Sequence, residues 1–208
     1  PGVPYPDIQY HFMPVVMSYD GSSEPQQGYQ VHVGHNKPKS RGRITLKSND
    51  PVEKPRLFFN YLDHEDDREG FRACVRLSRE IYAQSPFDPY RGEEIAPGKD
   101  IQSDDEIDNW VASTAETALH PSCACKMGTD SMAVVDPETR VHGIEGLRVV
   151  DSSIMPTITN GNLNAPTIMI GEKAADIILG REPLAPTNTP VFHNPDSDSK
   201  QRSGTPER

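Results

Sequence analysis

Proline sets the outer limits of this fold. The chain carries 20 prolines in 208 residues, and each one fixes φ and removes a backbone donor. Only 34% of the residues are hydrophobic. That combination restricts the chain to short elements and irregular connections around a modest core, with a polar tail. At this length the core can belong to one large domain or two small ones.

The elements can be read between the prolines. His11 to Met17 is apolar with Pro14 interrupting it, which reads as an edge strand. Strand-like pieces follow at Tyr29–Val33, Arg43–Lys47 and Leu57–Tyr61, separated by Gly, Pro, Asn and Asp clusters, the pattern of an antiparallel sheet. From about Asp66 to Gln84, Phe71, Cys74, Val75, Ser78, Ile81 and Tyr82 recur at helical spacing behind an acidic first turn; Pro86 and Pro89 end that helix. Ser103 and Glu106 have capping-box spacing ahead of Ile107, Trp110, Val111, Ala115 and Ala118, which reads as a second helix delivering the chain to His120. Leu147–Asp151 reads as a short buried strand. Asn164 is placed to cap a third helix, with Pro166 in its first turn and Gly180 as its stop. This helix is so apolar (Ile168, Met169, Ile170, Ala174, Ile177, Ile178) that burial is expected. From about Leu184 to Arg208 hardly any apolar residue occurs, so a flexible tail is expected.

Charge and cysteine content narrow the function classes. Lys and Arg number 21 against 31 Asp and Glu, a formal charge of −10. Nucleic-acid binders need basic patches to displace counterions, so that class is excluded. An acidic surface is compatible with a cationic substrate. Three cysteines (Cys74, Cys123, Cys125) are too few and too unevenly placed for a disulfide framework, which favours a reducing, cytoplasmic compartment. No signal peptide or apolar run of membrane-spanning length is visible. The opening residue is Pro1, and the chain reads as a piece of a longer one.

One ordered set of residues carries chemistry. His120-Pro-Ser-Cys-Ala-Cys-Lys-Met-Gly128 is followed by Val149-Val-Asp-Ser-Ser-Ile-Met-Pro156 and then by Asn160-Gly-Asn-Leu-Asn-Ala-Pro-Thr-Ile-Met-Ile170. A histidine supplies a base near neutral pH, an amide supplies an uncharged hydrogen bond, and a helix start supplies a positive dipole. Together they suit oxidation of an alcohol beside an electron-accepting cofactor. Each part has a plainer reading. His120 is one of 7 histidines, although Pro121 discourages continuation of the preceding helix and lets the junction aim a side chain into a cleft. Cys123-Ala-Cys125 lacks zinc-ligand spacing, so no metal is expected and a buried structural role is preferred. The Asn- and Gly-rich segment is a turn or a ligand site, and residue types leave both open.

The three segments, with Val135-Asp-Pro-Glu-Thr-Arg-Val-His-Gly143 between them, resemble the C-terminal part of the glucose-methanol-choline (GMC) flavoprotein oxidoreductases. The match is dense from His120 to Gly180. It continues more loosely through Phe12-Met-Pro-Val-Val-Met-Ser-Tyr-Asp-Gly21 and Gly28-Tyr-Gln-Val-His-Val33, which are similar to this family's substrate domain. The resemblance implies that His120 is the catalytic base and that Asn162 is the second active-site residue, hydrogen-bonding the substrate oxygen. It places Asp151 beside the ribityl-diphosphate of FAD, and Leu163, Asn164 and Thr167 at the helix start facing the flavin ring.

The implied fold is α+β, a mostly antiparallel substrate-domain sheet with helices plus a C-terminal segment that completes a flavin domain. The implied divisions are 1–118 for the substrate-domain portion, 119–183 for the flavin-domain segment with the catalytic residues, and 184–208 for the tail. The implied reaction is FAD-dependent oxidation of a primary alcohol, choline first, to betaine aldehyde, with a quinone or dye as acceptor and the enzyme cytoplasmic or peripheral to the inner membrane. Alternatives are another primary alcohol, or a catalytically silent fragment. The family's Gly-x-Gly-x-x-Gly diphosphate turn does not occur in this sequence, so this chain alone is not expected to retain FAD. Leu119 stands where relatives often carry Tyr, which thins an aromatic cage for a quaternary ammonium.

Overall fold

A computed structural model describes residues 5–18 and 24–191. The chain divides into two compact units, one of Ile8–Thr117 and one built from the described residues of Pro1–Asp7 and Ala118–Arg208.

In the unit Ile8–Thr117, strand β1 (Ile8–Met13) pairs antiparallel with β2 (Gln30–His35), in the register Ile8↔His35 to Met13↔Gln30. Pro14 follows directly, and a residue without an N–H cannot extend the ladder. The strand therefore lies earlier than the apolar run 11–17 suggests. Strands β3 (Arg43–Thr45) and β4 (Arg56–Phe58) form a second antiparallel pair. The expected sheet is thus two separate two-stranded ladders among the described residues.

Helix α1 (Glu65–Tyr82) begins at His64, whose Nδ1 accepts the Asp66 N–H, and its first turn holds Glu65, Asp66 and Asp67, all favourable at the positive end of the helix dipole. Helix α2 (Asp104–Thr114) carries the reciprocal capping box of Ser103 and Glu106. The apolar faces of the two helices meet in a core of Val75, Ile107 and Val111, flanked by Leu62, Phe71, Ile101 and Trp110. Arg72 of α1 pairs through its guanidinium with Asp108 of α2 and Glu65, linking the helices at the edge of that core. Cys74 is fully buried. Asp67 is buried too, and its carboxylate accepts the backbone N–H groups of Lys39 and Ser40, each at 2.7 Å.

The second unit is mostly loop held by backbone hydrogen bonds. Residues 123–127 run beside the short 3-10 turn Ser152–Ile154, with Cys123, Cys125 and Met127 N–H groups donating to the Ser152, Ser153 and Ile154 carbonyls. Cys123 and Cys125 are half-buried rather than buried. The Asp136 carboxylate accepts from the Glu138 and Arg140 N–H groups and from Arg140 Nε, closing the turn between them. Residues 147–151 form no strand: Leu147 is 48% exposed, and the segment makes isolated contacts such as Val149 N–H to Thr139 C=O. Val135, Ile154, Met155, Leu163 and Ala174 are the buried apolar residues of this unit.

Helix α3 (Asn164–Leu179) ends at Gly180 in the left-handed conformation. Two expectations for it fail. The cap residue is Leu163, with Asn164 the first helical residue and no side chain capping the end. A cap at Asn164 would face Pro166, which has no N–H to offer. Starting one residue earlier lets Thr167 N–H bond the Leu163 carbonyl at 3.0 Å. Nor is the helix buried. Ala174 is its buried residue, while Ile168, Met169, Ile178 and Leu179 are each more than half exposed. Its apolar residues surround most of the helix, and this unit covers one strip.

No helix among the described residues is long and apolar enough to cross a membrane. The segment 184–191 is irregular and exposed. The rest of the tail, 192–208, lies outside the described residues.

Candidate active site

His120 and Asn162, 42 positions apart in sequence, meet in the second unit with His120 Nε2 2.7 Å from Asn162 Oδ1. With the amide oxygen facing the ring, Nε2–H donates and Nδ1 carries the free lone pair. A backbone reversal delivers each of them. Leu119, immediately before His120, has φ 58°, and Gly161, immediately before Asn162, has φ 75°. Glycine takes such a conformation without steric cost.

Neighbouring residues secure both arms. Ser152 Oγ donates to the Pro121 carbonyl at 2.9 Å, fixing the chain just beyond His120. Asn160 Nδ2 donates to the Pro6 carbonyl at 2.9 Å, fixing the chain just before Gly161. Nothing in the sequence marks Ser152 for this task, because its partner lies 31 positions away. His120 is half-buried and Asn162 is exposed, so the pair is open to a ligand.

The other expected site residues have distinct surroundings. Asp151 is exposed, and its carboxylate already accepts the Ser153 N–H at 2.7 Å, capping the 3-10 turn. Leu163 has a buried side chain, so only its backbone faces the helix end. Its carbonyl accepts from both the N–H and, at 2.7 Å, the hydroxyl of Thr167. Asn164 occupies the first turn of α3. The helix ladder begins at Thr167 and Pro166 has no N–H, so the amides of Asn164 and Ala165 stand outside that ladder.

The first turn of α3 also holds no acidic side chain. Its positive dipole end is thus unneutralised by side chains, directly after the Asn162 that pairs with His120. A base, an amide and an uncapped helix start can together take a proton from a hydroxyl, hold its oxygen and stabilise negative charge on a neighbouring electron acceptor. This donor set fits the pyrimidine edge of a flavin, which becomes electron-rich on reduction.

The comparisons with known proteins give the family. The family profile described as GMC oxidoreductase matches residues 38–171, and the chain belongs to this family. The described part accordingly has the make-up of its C-terminal region, helices with small antiparallel ladders. The chain is 61% identical over 197 residues to an oxygen-dependent choline dehydrogenase of Brucella ovis, covering 93% of this chain and 36% of that protein. It is 54% identical to an oxygen-dependent choline dehydrogenase of Photobacterium profundum, across 100% of this chain and 37% of that protein. The chain therefore spans little more than a third of the length of these relatives.

Among solved structures it resembles pyridoxine 4-oxidase from Mesorbium loti, with a TM-score of 0.77 and 29% identity, covering 86% of this chain and 35% of that one. It also resembles Aspergillus oryzae formate oxidase, described for effects on FAD modification, with a TM-score of 0.69 and 28% identity, covering 76% of this chain and 28% of that one.

Proposed function

We propose that this chain supplies the catalytic wall of an FAD-dependent enzyme that oxidises choline to betaine aldehyde. The observation that carries this reading is the 2.7 Å His120–Asn162 pair, set immediately before the uncapped start of α3. The high identity to proteins named choline dehydrogenases supports choline among alcohols. The net charge of −10 suits a cationic substrate.

In this reading the substrate hydroxyl displaces Asn162 from the ring of His120. With Asn162 displaced the neutral ring carries its hydrogen on Nδ1, so the Nε2 lone pair takes the hydroxyl proton, and the Asn162 amide N–H holds the oxygen as the carbonyl forms. Bound FAD supplies the acceptor for the hydride. With that group bound, the Asn164 and Ala165 amides would stabilise negative charge beside the helix start by about 0.3–1 kcal/mol, approaching 2 when partly buried. Leu163 would take part through its backbone, Thr167 by bracing the first helical turn, and Asp151 would help hold the ribityl-diphosphate portion of the cofactor. We assign 1–118 to the substrate-binding domain, 119–183 to the flavin-domain segment and 184–208 to a tail. The acceptor is a quinone or dye, against which oxygen, named for the relatives, is the competitor.

In the full-length enzyme, His120→Ala should lower choline turnover by about 10²–10⁴-fold while flavin stays bound, as expected for loss of a general base. Near-normal turnover would sink the assignment. Turnover of choline against uncharged alcohols separates the proposed substrate from others. Oxygen uptake against quinone reduction separates the acceptors.

A second reading is favoured by the exposed apolar flanks of α3. By itself this polypeptide is catalytically silent and holds no flavin, because the surface that covers Ile168, Met169, Ile178 and Leu179 is supplied from elsewhere. Purified chain that is yellow with bound FAD would refute it.

A further inference from the structure

We infer that Leu119 is the positioning residue of the pair, acting through its backbone to hold the His120 ring against Asn162. The inference rests on the proposed role of His120 only for its functional meaning; the geometry stands apart from it. Both paired side chains follow a left-handed residue, but the two arms differ. Gly161 at φ 75° meets no steric objection. Leu119 at φ 58° has a Cβ that crowds the adjoining carbonyl oxygen.

The Leu119 side chain is 65% exposed, so side-chain packing does not account for the conformation. The surrounding backbone does. Pro121 disfavours the helical region for His120, and Ser152 Oγ holds the Pro121 carbonyl at 2.9 Å. With the chain beyond the ring so constrained, the reversal that turns His120 toward Asn162 falls to Leu119. Strained non-glycine backbone of this kind persists where its surroundings over-determine it, and it collects at functional sites.

The test reads the ring, not turnover. In the full 208-residue chain at mildly alkaline pH, ¹⁵N shifts of His120 distinguish one fixed tautomer from two in exchange. The native chain and Leu119→Asn, which tolerates the left-handed region, should both show a single fixed tautomer. Leu119→Val, whose β-branch resists that region, should lose it and show averaged shifts, with α3 amide signals unmoved. Averaged shifts in the native chain would overturn the inference. So would a fixed tautomer in Leu119→Val, or averaging in Leu119→Asn.

Should Leu119→Val fail to fold, the melting temperatures of Leu119→Asn and Leu119→Ala decide. A left-handed requirement makes the Asn variant the more stable of the two, and equal values would overturn the proposal. If His120 proves not to be the base, turnover of His120→Ala reveals it while the tautomer result is unaffected.

Discussion

Asp67 offers the clearest test of what holds the first unit together. It lies in the first turn of α1 with 2% of its surface exposed. Its two oxygens each accept a backbone N–H at 2.7 Å, from Lys39 and from Ser40, tying the 38–41 loop to the helix. His35 Nε2 lies 3.7 Å away. Hydrogen bonds to a charged group contribute about 1.5–3 kcal/mol each, and removing the acceptor strands two donors.

Asp67→Ala should therefore cost about 3–5 kcal/mol, a large share of a stability of roughly 5–15 kcal/mol. Asp67→Asn keeps one accepting oxygen but turns an NH₂ toward the other N–H, and should cost about 2 kcal/mol. Burial opposes ionisation of Asp67, but the hydrogen bonds from Ser40 and Lys39 outweigh it and hold the carboxyl below its ordinary range. A carboxylate depressed in the folded state stabilises it above the unfolded value near 3.9. That contribution is lost as pH falls through the lower folded value. Urea titration measures it: the midpoint gap between native chain and Asp67→Asn should be full at about pH 6 and close below about pH 3.9. An alanine variant within about 0.5 kcal/mol of the native chain would refute the reasoning.

Three further outcomes follow from the structure. Asn162→Ala should lower turnover of the full-length enzyme less than His120→Ala does, by about tenfold for the loss of one hydrogen bond, with flavin reduction still observable in stopped flow. Gly42→Ala should break the β3–β4 pairing, because its Cβ would lie 2.1 Å from the Phe58 carbonyl oxygen; loss of amide protection at Arg43 and Phe58 reads it. Ser103→Ala removes the acceptor for the Glu106 N–H and should cost about 1 kcal/mol, seen as a melting temperature lowered by a few degrees.

Legibility in the sequence tracked how local each determinant is. Helix α1 could be read almost to its ends and α2 at its start, since periodicity, acidic first turns and the Ser103–Glu106 box all act within a few residues; the expected run of α2 through Ala115 and Ala118 instead stops at Thr114, where Ala115 turns extended. The strands were placed correctly in order but not in extent, because Pro14 and the pairing register decide where a ladder stops. Residues 147–151 look like a strand by composition, yet they make only scattered contacts with the 139–141 turn. Asn164 looks like a cap by residue type, but the cap needs donors at fixed later positions, and Pro166 removes one.

The family, and with it the identity of His120 and Asn162 as residues of interest, was written in the order of motifs along the chain. Their meeting at 2.7 Å was not. It depends on reversals at Leu119 and Gly161, a serine 31 positions from the carbonyl it holds, and an asparagine anchored to Pro6 from 154 positions away. Helix α3 shows the same division. Its apolar composition was plain, but how much of it is covered depends on which surfaces pack there, and in this unit one strip bearing Ala174 is covered. Periodicity and caps are local energies that one segment carries within itself; pairing and burial are set by distant segments, and only the folded chain assigns the partners.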